Sequence, residues 1–217
     1  MVNISEIKND LRKKINEAQQ KANKRRVSLN MTGKTFSELF LLQVKFILAE
    51  KGLGKTYNID KNNKEIINQI YFYLVGSPKF KGNKNKGLFL MGSIGTGKTM
   101  IINAIINIIE ATTNKRFTSL HAKKIFSFLK ENGVERLNKR PLFIDDIGKE
   151  TLEVNDFGTK INVIPDLFAI RYDNNAWTFV TSNYDTEELT EFYGETIIDR
   201  FKELFNVLIL KGDSRRN

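Results

Sequence analysis

The 217-residue chain contains no cysteine, one histidine, one tryptophan and three prolines. The lack of cysteine excludes disulfides, thiolate zinc sites and cysteine nucleophiles, and it suits a reducing compartment. The opening residues, MVNISEIKNDLRKK, lack the apolar core of a secretory signal. Long hydrophobic runs are missing as well. The most apolar helix candidate, Met100 to Ile109, is interrupted by Asn103 and Asn107 and is far shorter than the ~20 residues that span a bilayer. These absences together predict a soluble cytoplasmic protein with no membrane segment.

Hydrophobic residues make up 41% of the chain and charged residues 28%, the balance of a folded protein large enough for one α/β domain and a small appendage. The net charge is +10 and unevenly placed. Residues 1–90 hold 18 Lys and Arg against 7 Asp and Glu, whereas residues 91–217 hold 17 against 18. The basic first part would attract a polyanion or an acidic protein face, and a merely solvated lysine-rich surface has an equal claim.

Two regions emerge along the chain. Residues 1–80 read as a basic helical region. A first helix runs from Ser5 to about Arg26, with Ile4, Ile7, Leu11, Ile15 and Ala22 on one narrow stripe suited to docking. A second follows, with Thr35 and Glu38 spaced as a capping box and Gly52 as its stop. Phe36, Leu39, Phe40, Val44, Phe46 and Ile47 make it apolar on most sides, so burial is expected. A third helix is predicted from Lys64 to Leu74, and GSPKFKGNKNKG reads as a linker. From residue 81 onward, apolar strands alternate with helices, which predicts a parallel sheet covered on both faces.

The triplet Gly-Lys-Thr occurs three times, at Gly33, Gly54 and Gly97. A phosphate loop also needs a glycine five positions before the one preceding Lys, after a strand and ahead of a helix. That position is Ser28 for the first triplet, Ala49 for the second and Gly92 for the third. Only GSIGTGKT meets the requirement. Its backbone N–H groups and the following helix N-terminus would wrap a phosphate. Gly92, Ser93, Ile94, Gly95, Thr96, Gly97, Lys98, Thr99 and Met100 are therefore the candidate ATP-binding residues. Lys98 would reach the β- and γ-phosphates, and the Thr99 hydroxyl would ligate Mg²⁺. The other triplets have structural readings: Thr35 as a helix cap, Lys55 as a solvated charge.

LFIDD supplies the carboxylates that such a site needs. Asp145 is the expected Mg²⁺ ligand, and Asp146 would orient or deprotonate water. Asn183, at the end of WTFVTSN, could hold that water or simply start a turn. His121 opens a predicted helix far in sequence from these motifs, which favours a structural role. Trp177 and the sixteen phenylalanines are expected in the core rather than as base-stacking platforms.

GSIGTGKT, LFIDDIG, TSN and IIDRF, in this order and spacing, resemble the AAA+ ATPases of the DnaC/IstB group, over roughly Gly87 to the C-terminus. LFAIRYDNNAWTFVTSNY and the Glu150 that follows DDIG fit the same pattern. The resemblance implies a P-loop AAA+-like fold with no C-terminal lid. It makes Asn183 the sensor-1 residue and Arg200 an arginine finger acting on ATP held by a neighbouring subunit. Arg171 also matches a recurrent arginine, without an assigned task. The group often ends in G-x-S-aromatic-R; here GDSRR lacks the aromatic, and only Arg216 fits the last position. The implied function is an ATP- and Mg²⁺-dependent helicase loader. It would form a homo-oligomer in its ATP-bound state, contact single-stranded DNA and hold a replicative helicase through its N-terminal region. An IstB-type transposition helper, binding duplex DNA and a transposase, is the alternative. A small-molecule kinase would need an arginine-rich lid, and Arg116, Arg136 and Arg140 form no such pattern.

Overall fold

The strands LFLM and TFVTS are apolar almost throughout, which requires cover on both faces of the sheet they join. The computed structural model describes residues 4–25, 28–151, 153–156 and 159–215. The first three helices are α1 (Ile4–Arg25), α2 (Gly33–Glu50) and α3 (Lys64–Leu74). The sheet then begins with β1 (Gly87–Met91), α4 (Lys98–Thr112), β2 (Thr118–His121), α5 (Ile125–Asn132) and β3 (Leu142–Ile147). An antiparallel hairpin, β4 (Glu153–Asp156) and β5 (Thr159–Asn162), precedes α6 (Val163–Asp173). The chain continues through β6 (Thr178–Ser182), α7 (Thr186–Tyr193), α8 (Glu195–Leu204) and β7 (Phe205–Ile209).

Five strands pair in the order β2-β3-β6-β1-β7, all parallel. This is the expected α/β class. Alternation along β1 sends Leu88 and Leu90 into one core, Phe89 and Met91 into the other. The first core holds α2, α3 and α4; the second holds α5, α6, α7 and α8. Among the described residues, no helix is long and apolar enough to cross a membrane.

Helix α4 is apolar nearly all round, and the sheet covers only one side of it. Phe36, Phe40, Val44, Ile47 and Leu48 of α2 are buried in the same core as α4, and Asn107 Nδ2 donates to Gln43 Oε1 at 3.1 Å. That core runs across the position near residue 80 where a boundary is expected. Trp177 is buried, as expected, and its Nε1 donates to Tyr73 of α3 at 2.7 Å.

Three local expectations need correction. Helix α2 begins one turn early: Thr32 is its cap and accepts from Thr35 N–H at 3.2 Å, so Thr35 lies inside the helix. Its outer face is open, with Leu42 61% and Phe46 54% exposed, because α4 occupies one side only. Its end agrees with expectation. Gly52 takes a positive φ of 65°, and the Gly52 and Leu53 N–H groups close back on Ala49 and Leu48 as in a Schellman motif. The third correction is the β4–β5 hairpin, which no strand pattern predicts. On α1, Ile4, Ile7, Leu11 and Ile15 are exposed; the side chain of Ala22 lies outside the described residues.

Candidate nucleotide site

The site is built at the carboxyl edge of the sheet, where β1, β2, β3 and β6 end side by side. GSIGTGKT follows β1 and opens α4, with Gly97 as the helix N-cap at φ 101°. A glycine there offers no side-chain acceptor, so the first-turn amides keep their donors for an anion. Gly95 has φ 83°, and a Cβ on it would lie 2.3 Å from Ser214 Oγ. Only glycine lets the loop pass so close to the chain's later residues.

Within this loop the candidate residues divide by task. Gly95, Gly97, Lys98, Thr99 and Met100 line a cavity of about 1010 Å³. Thr96 is buried and turns inward, donating to Ser93 carbonyl at 2.9 Å. Ile94 is exposed, and Gly92 and Ser93 contribute carbonyls. These carbonyls accept from Lys98 Nζ at 2.6 and 2.8 Å.

Two linked networks carry the charged groups. Lys98 Nζ donates to Asn183 Oδ1 at 2.7 Å, and Asn183 Nδ2 donates in turn to Asp146 Oδ1. Thr99 Oγ1 donates to Asp145 Oδ1 at 2.7 Å, and Thr181 Oγ1 donates to the same oxygen at 2.6 Å. Asp146 also faces His121 Nε2 at 3.9 Å and Lys149 Nζ at 4.0 Å. Its backbone takes φ 61°, unusual for a residue other than glycine. The turn after it is tied by Glu150, which accepts from the Gly148 and Lys149 N–H groups and from Tyr193 OH. Burial and the Glu150 carboxylate raise the Tyr193 pKa, so its phenol stays protonated.

Thr99 and Asp145 present two hard oxygens to the cavity beside the phosphate loop, a donor set that fits Mg²⁺. Among the described residues, no group of three or more His, Cys, Asp or Glu could form a protein-only cage. Phosphate oxygens and water would complete a metal shell here.

The cavity also takes residues that local reading sets aside. Gly54, Lys55, Thr56 and Tyr57, the second Gly-Lys-Thr triplet and its neighbour, line its other wall. This triplet adjoins the pocket without forming a phosphate loop. Arg215 lies across the opening. Its N–H donates to Gly95 carbonyl at 2.8 Å, its guanidinium meets Asp60 at 2.7 Å, and it sits 5.5 Å over the Tyr57 ring. That hydrogen bond holds the Asp60 carboxyl below its usual pKa. Burial pushes the Tyr57 phenol up to about 12. The tail therefore contacts the loop through Arg215; Arg216 lies outside the described residues.

His121 belongs to the cavity as well, against the sequence expectation. Lys123 N–H donates to its Nδ1 at 3.3 Å, which puts the proton of the neutral ring on Nε2, facing Asp146. The missed signal is topological: His121 pairs in register with Asp145 at the end of a neighbouring parallel strand.

Arg200 is exposed on α8 and lines a separate cavity of about 230 Å³ with Phe168 and Tyr172 of α6. The structure does not bring it to Lys98 within one chain. Arg171 is fully buried. Its guanidinium donates to Thr178 Oγ1 at 2.9 Å, to the Arg140 and Trp177 carbonyls at 3.0 and 2.8 Å, and to the Leu137 carbonyl. It ties α6 to the starts of β3 and β6.

No protein-family model and no curated protein matches the chain. Solved structures do. DnaI aligns with a TM-score of 0.57 at 24% identity, over 90% of this chain and 99% of that one. The DnaC helicase loader aligns with a TM-score of 0.55 at 22% identity, over 71% and 93%. The chain shares the fold of these solved structures. The initiator DnaA, solved with AMPPCP and single-stranded DNA, aligns at 0.54 and 17% identity over 72% of this chain and 49% of that one. In this fold the cavity, the GSIGTGKT loop and both aspartates share one edge of the sheet.

Proposed function

We propose that this chain is a Mg²⁺-dependent ATPase of the helicase-loader type. The observation that carries the reading is the paired network Lys98–Asn183–Asp146 and Thr99–Asp145, gathered around a cavity beside a phosphate loop.

The loop amides from Gly92 to Thr99 and the Lys98 ammonium bind the phosphates. Thr99 and Asp145 would hold the metal, which when bound would neutralise phosphate charge. Asp146 receives the water's proton, and Asn183 orients both the water and the Asp146 carboxylate. Tyr57, Lys55 and Arg215 enclose the remainder of the nucleotide. Arg200 is exposed and outside its own chain's cavity, which supports its action on ATP held by a neighbouring copy. A guanidinium supplied across an interface links turnover to assembly. The exposed stripe of α1, in the basic part of the chain, is the surface assigned to a replicative helicase, and single-stranded DNA is the nucleic-acid partner.

The test has two stages. Purified protein should hydrolyse ATP only with Mg²⁺, and Lys98→Ala should abolish nucleotide binding or turnover. Unchanged turnover in that variant would move the site elsewhere. A tagged Asp146→Asn protein loaded with Mg²⁺-ATP should then retain a hexameric replicative helicase through residues 1–80. Recovery of a transposase with duplex DNA instead would replace the loader reading with the transposition-helper one.

A further inference from the structure

Two adjacent residues of a regular strand point to opposite faces, yet Asp145 and Asp146 both line the same cavity. The pairing of β3 with β6 explains how. Ile144 pairs with Val180 and Ile147 with Ser182, so three steps on β3 match two on β6. Asp145 and Asp146 together oppose Thr181, the arrangement of a β-bulge. The extra residue turns the strand, Asp146 adopts φ 61°, and both carboxylates come to one side.

A bulge removes a backbone group from the ladder, and that group needs another partner. Here the Asp146 N–H donates to Thr181 Oγ1 at 2.9 Å. The same hydroxyl spends its own proton on Asp145 Oδ1 at 2.6 Å. One side chain thus fixes the backbone of one aspartate and the carboxylate of the other. Thr181 is 1% exposed and comes from the central strand β6, a rigid support. A left-handed non-glycine residue persists only where its surroundings over-determine it.

We propose that Thr181 is the positioning residue that makes the Asp145-Asp146 pair usable: its hydroxyl locks the bulge and aims Asp145 at the metal position beside Thr99. This rests on the ATPase reading above. Thr181 acts through the aspartates and is not itself a catalytic residue.

The choice of variants separates hydrogen bonding from packing. Thr181→Val keeps shape and burial but removes donor and acceptor; Thr181→Ser keeps both and removes the methyl group. The readouts are fluorescent-nucleotide affinity with and without Mg²⁺, ATP turnover against Mg²⁺ concentration, and melting temperature. Thr181→Val should keep metal-free nucleotide affinity within about threefold. It should lose about tenfold in the affinity gained from Mg²⁺ and tenfold or more in turnover, the scale of a hydrogen bond to a charged group. Thr181→Ser should restore both to within about threefold, even where its melting temperature is the lower of the two.

Wild-type Mg²⁺ response and turnover in Thr181→Val would overturn the inference, and so would equal damage in Val and Ser. If Thr181→Val does not fold, Thr181→Cys keeps the shape with a weak S–H donor and should show the same split in smaller measure. Wild-type behaviour of that variant counts against the inference too. Failure of the wild-type protein to hydrolyse ATP would sink the ATPase reading alone, because the Mg²⁺-dependent affinity of the three proteins still decides the role of Thr181.

Discussion

Arg171→Met removes a fully buried guanidinium whose donors reach Thr178 and the Leu137, Arg140 and Trp177 carbonyls. Charge-assisted bonds contribute about 1.5–3 kcal/mol each, while burying the ion costs several kcal/mol. Two of the lost partners recover easily. Trp177 carbonyl keeps the Leu142 N–H at 3.0 Å, and Thr178 Oγ1 already lies 3.2 Å from Ala176 carbonyl. Leu137 and Arg140 carbonyls bear the loss, so the expected net destabilisation is about 3–5 kcal/mol. For a domain of this size that lowers the melting temperature by roughly 6–20 °C. Thermal unfolding followed by circular dichroism measures it directly. Arg171→Lys, with a compact ammonium in place of a planar fork, should fall between Met and wild type. Well below the transition, nucleotide affinity should stay within about threefold, because the anchor sits at the opposite end of β6 from Asn183. A Met variant melting at or above the wild-type temperature would refute the reasoning. It would mean that desolvation of the ion outweighs its bonds.

Arg200→Ala should leave ATP binding nearly intact and remove assembly- or DNA-stimulated hydrolysis; mixing it with Asp146→Asn subunits should restore turnover. No recovery in mixed assemblies that demonstrably form would end the trans assignment. Asp60→Asn should cost no more than about 1 kcal/mol at neutral pH, since the pair with Arg215 is partly exposed. Because the folded Asp60 pKa is depressed from 3.8, that contribution is present above the ordinary carboxylate range and lost as pH falls through the folded value. Melting curves of both proteins from pH 7 to pH 3 should therefore converge; a gap that widens in acid contradicts the pairing. Tyr57 has the opposite sign. With its phenol raised to about 12 from 10.0, its contribution holds below pH 10 and is lost between about 10 and 12. Tyr57→Phe should make urea stability flatter across that window, and an unchanged slope would contradict the burial.

Much of the fold was legible because its signals are short-range. Helix α3 occupies Lys64–Leu74 as its periodicity predicts, and Gly52 ends the turn after α2 as its lack of a Cβ allows. The cap of α2 was not legible: Thr35 has the capping-box spacing with Glu38, yet Thr32 is the cap, and only the geometry distinguishes two threonines within one turn. The exposed Phe46 reveals another limit. An apolar helix face says that burial is favourable, not that a partner surface is present to supply it.

The sequence by itself determined which of the three Gly-Lys-Thr triplets follows a strand and opens a helix. Glycine spacing, the preceding apolar strand and the following helix are all set by local dihedrals and burial within a few residues. The order of apolar strands and helices likewise determined the α/β class. Only the tertiary structure decided which distant residues share the cavity: Tyr57 and Arg215 across its opening, and His121 beside Asp146. Only the structure gave Arg171 its anchoring task and joined Thr181 to both aspartates. Parallel strands are joined through crossovers, so neighbours at the sheet edge lie far apart along the chain. The bulge that turns Asp145 and Asp146 to one side arises from the register between β3 and β6, a property that neither strand carries alone.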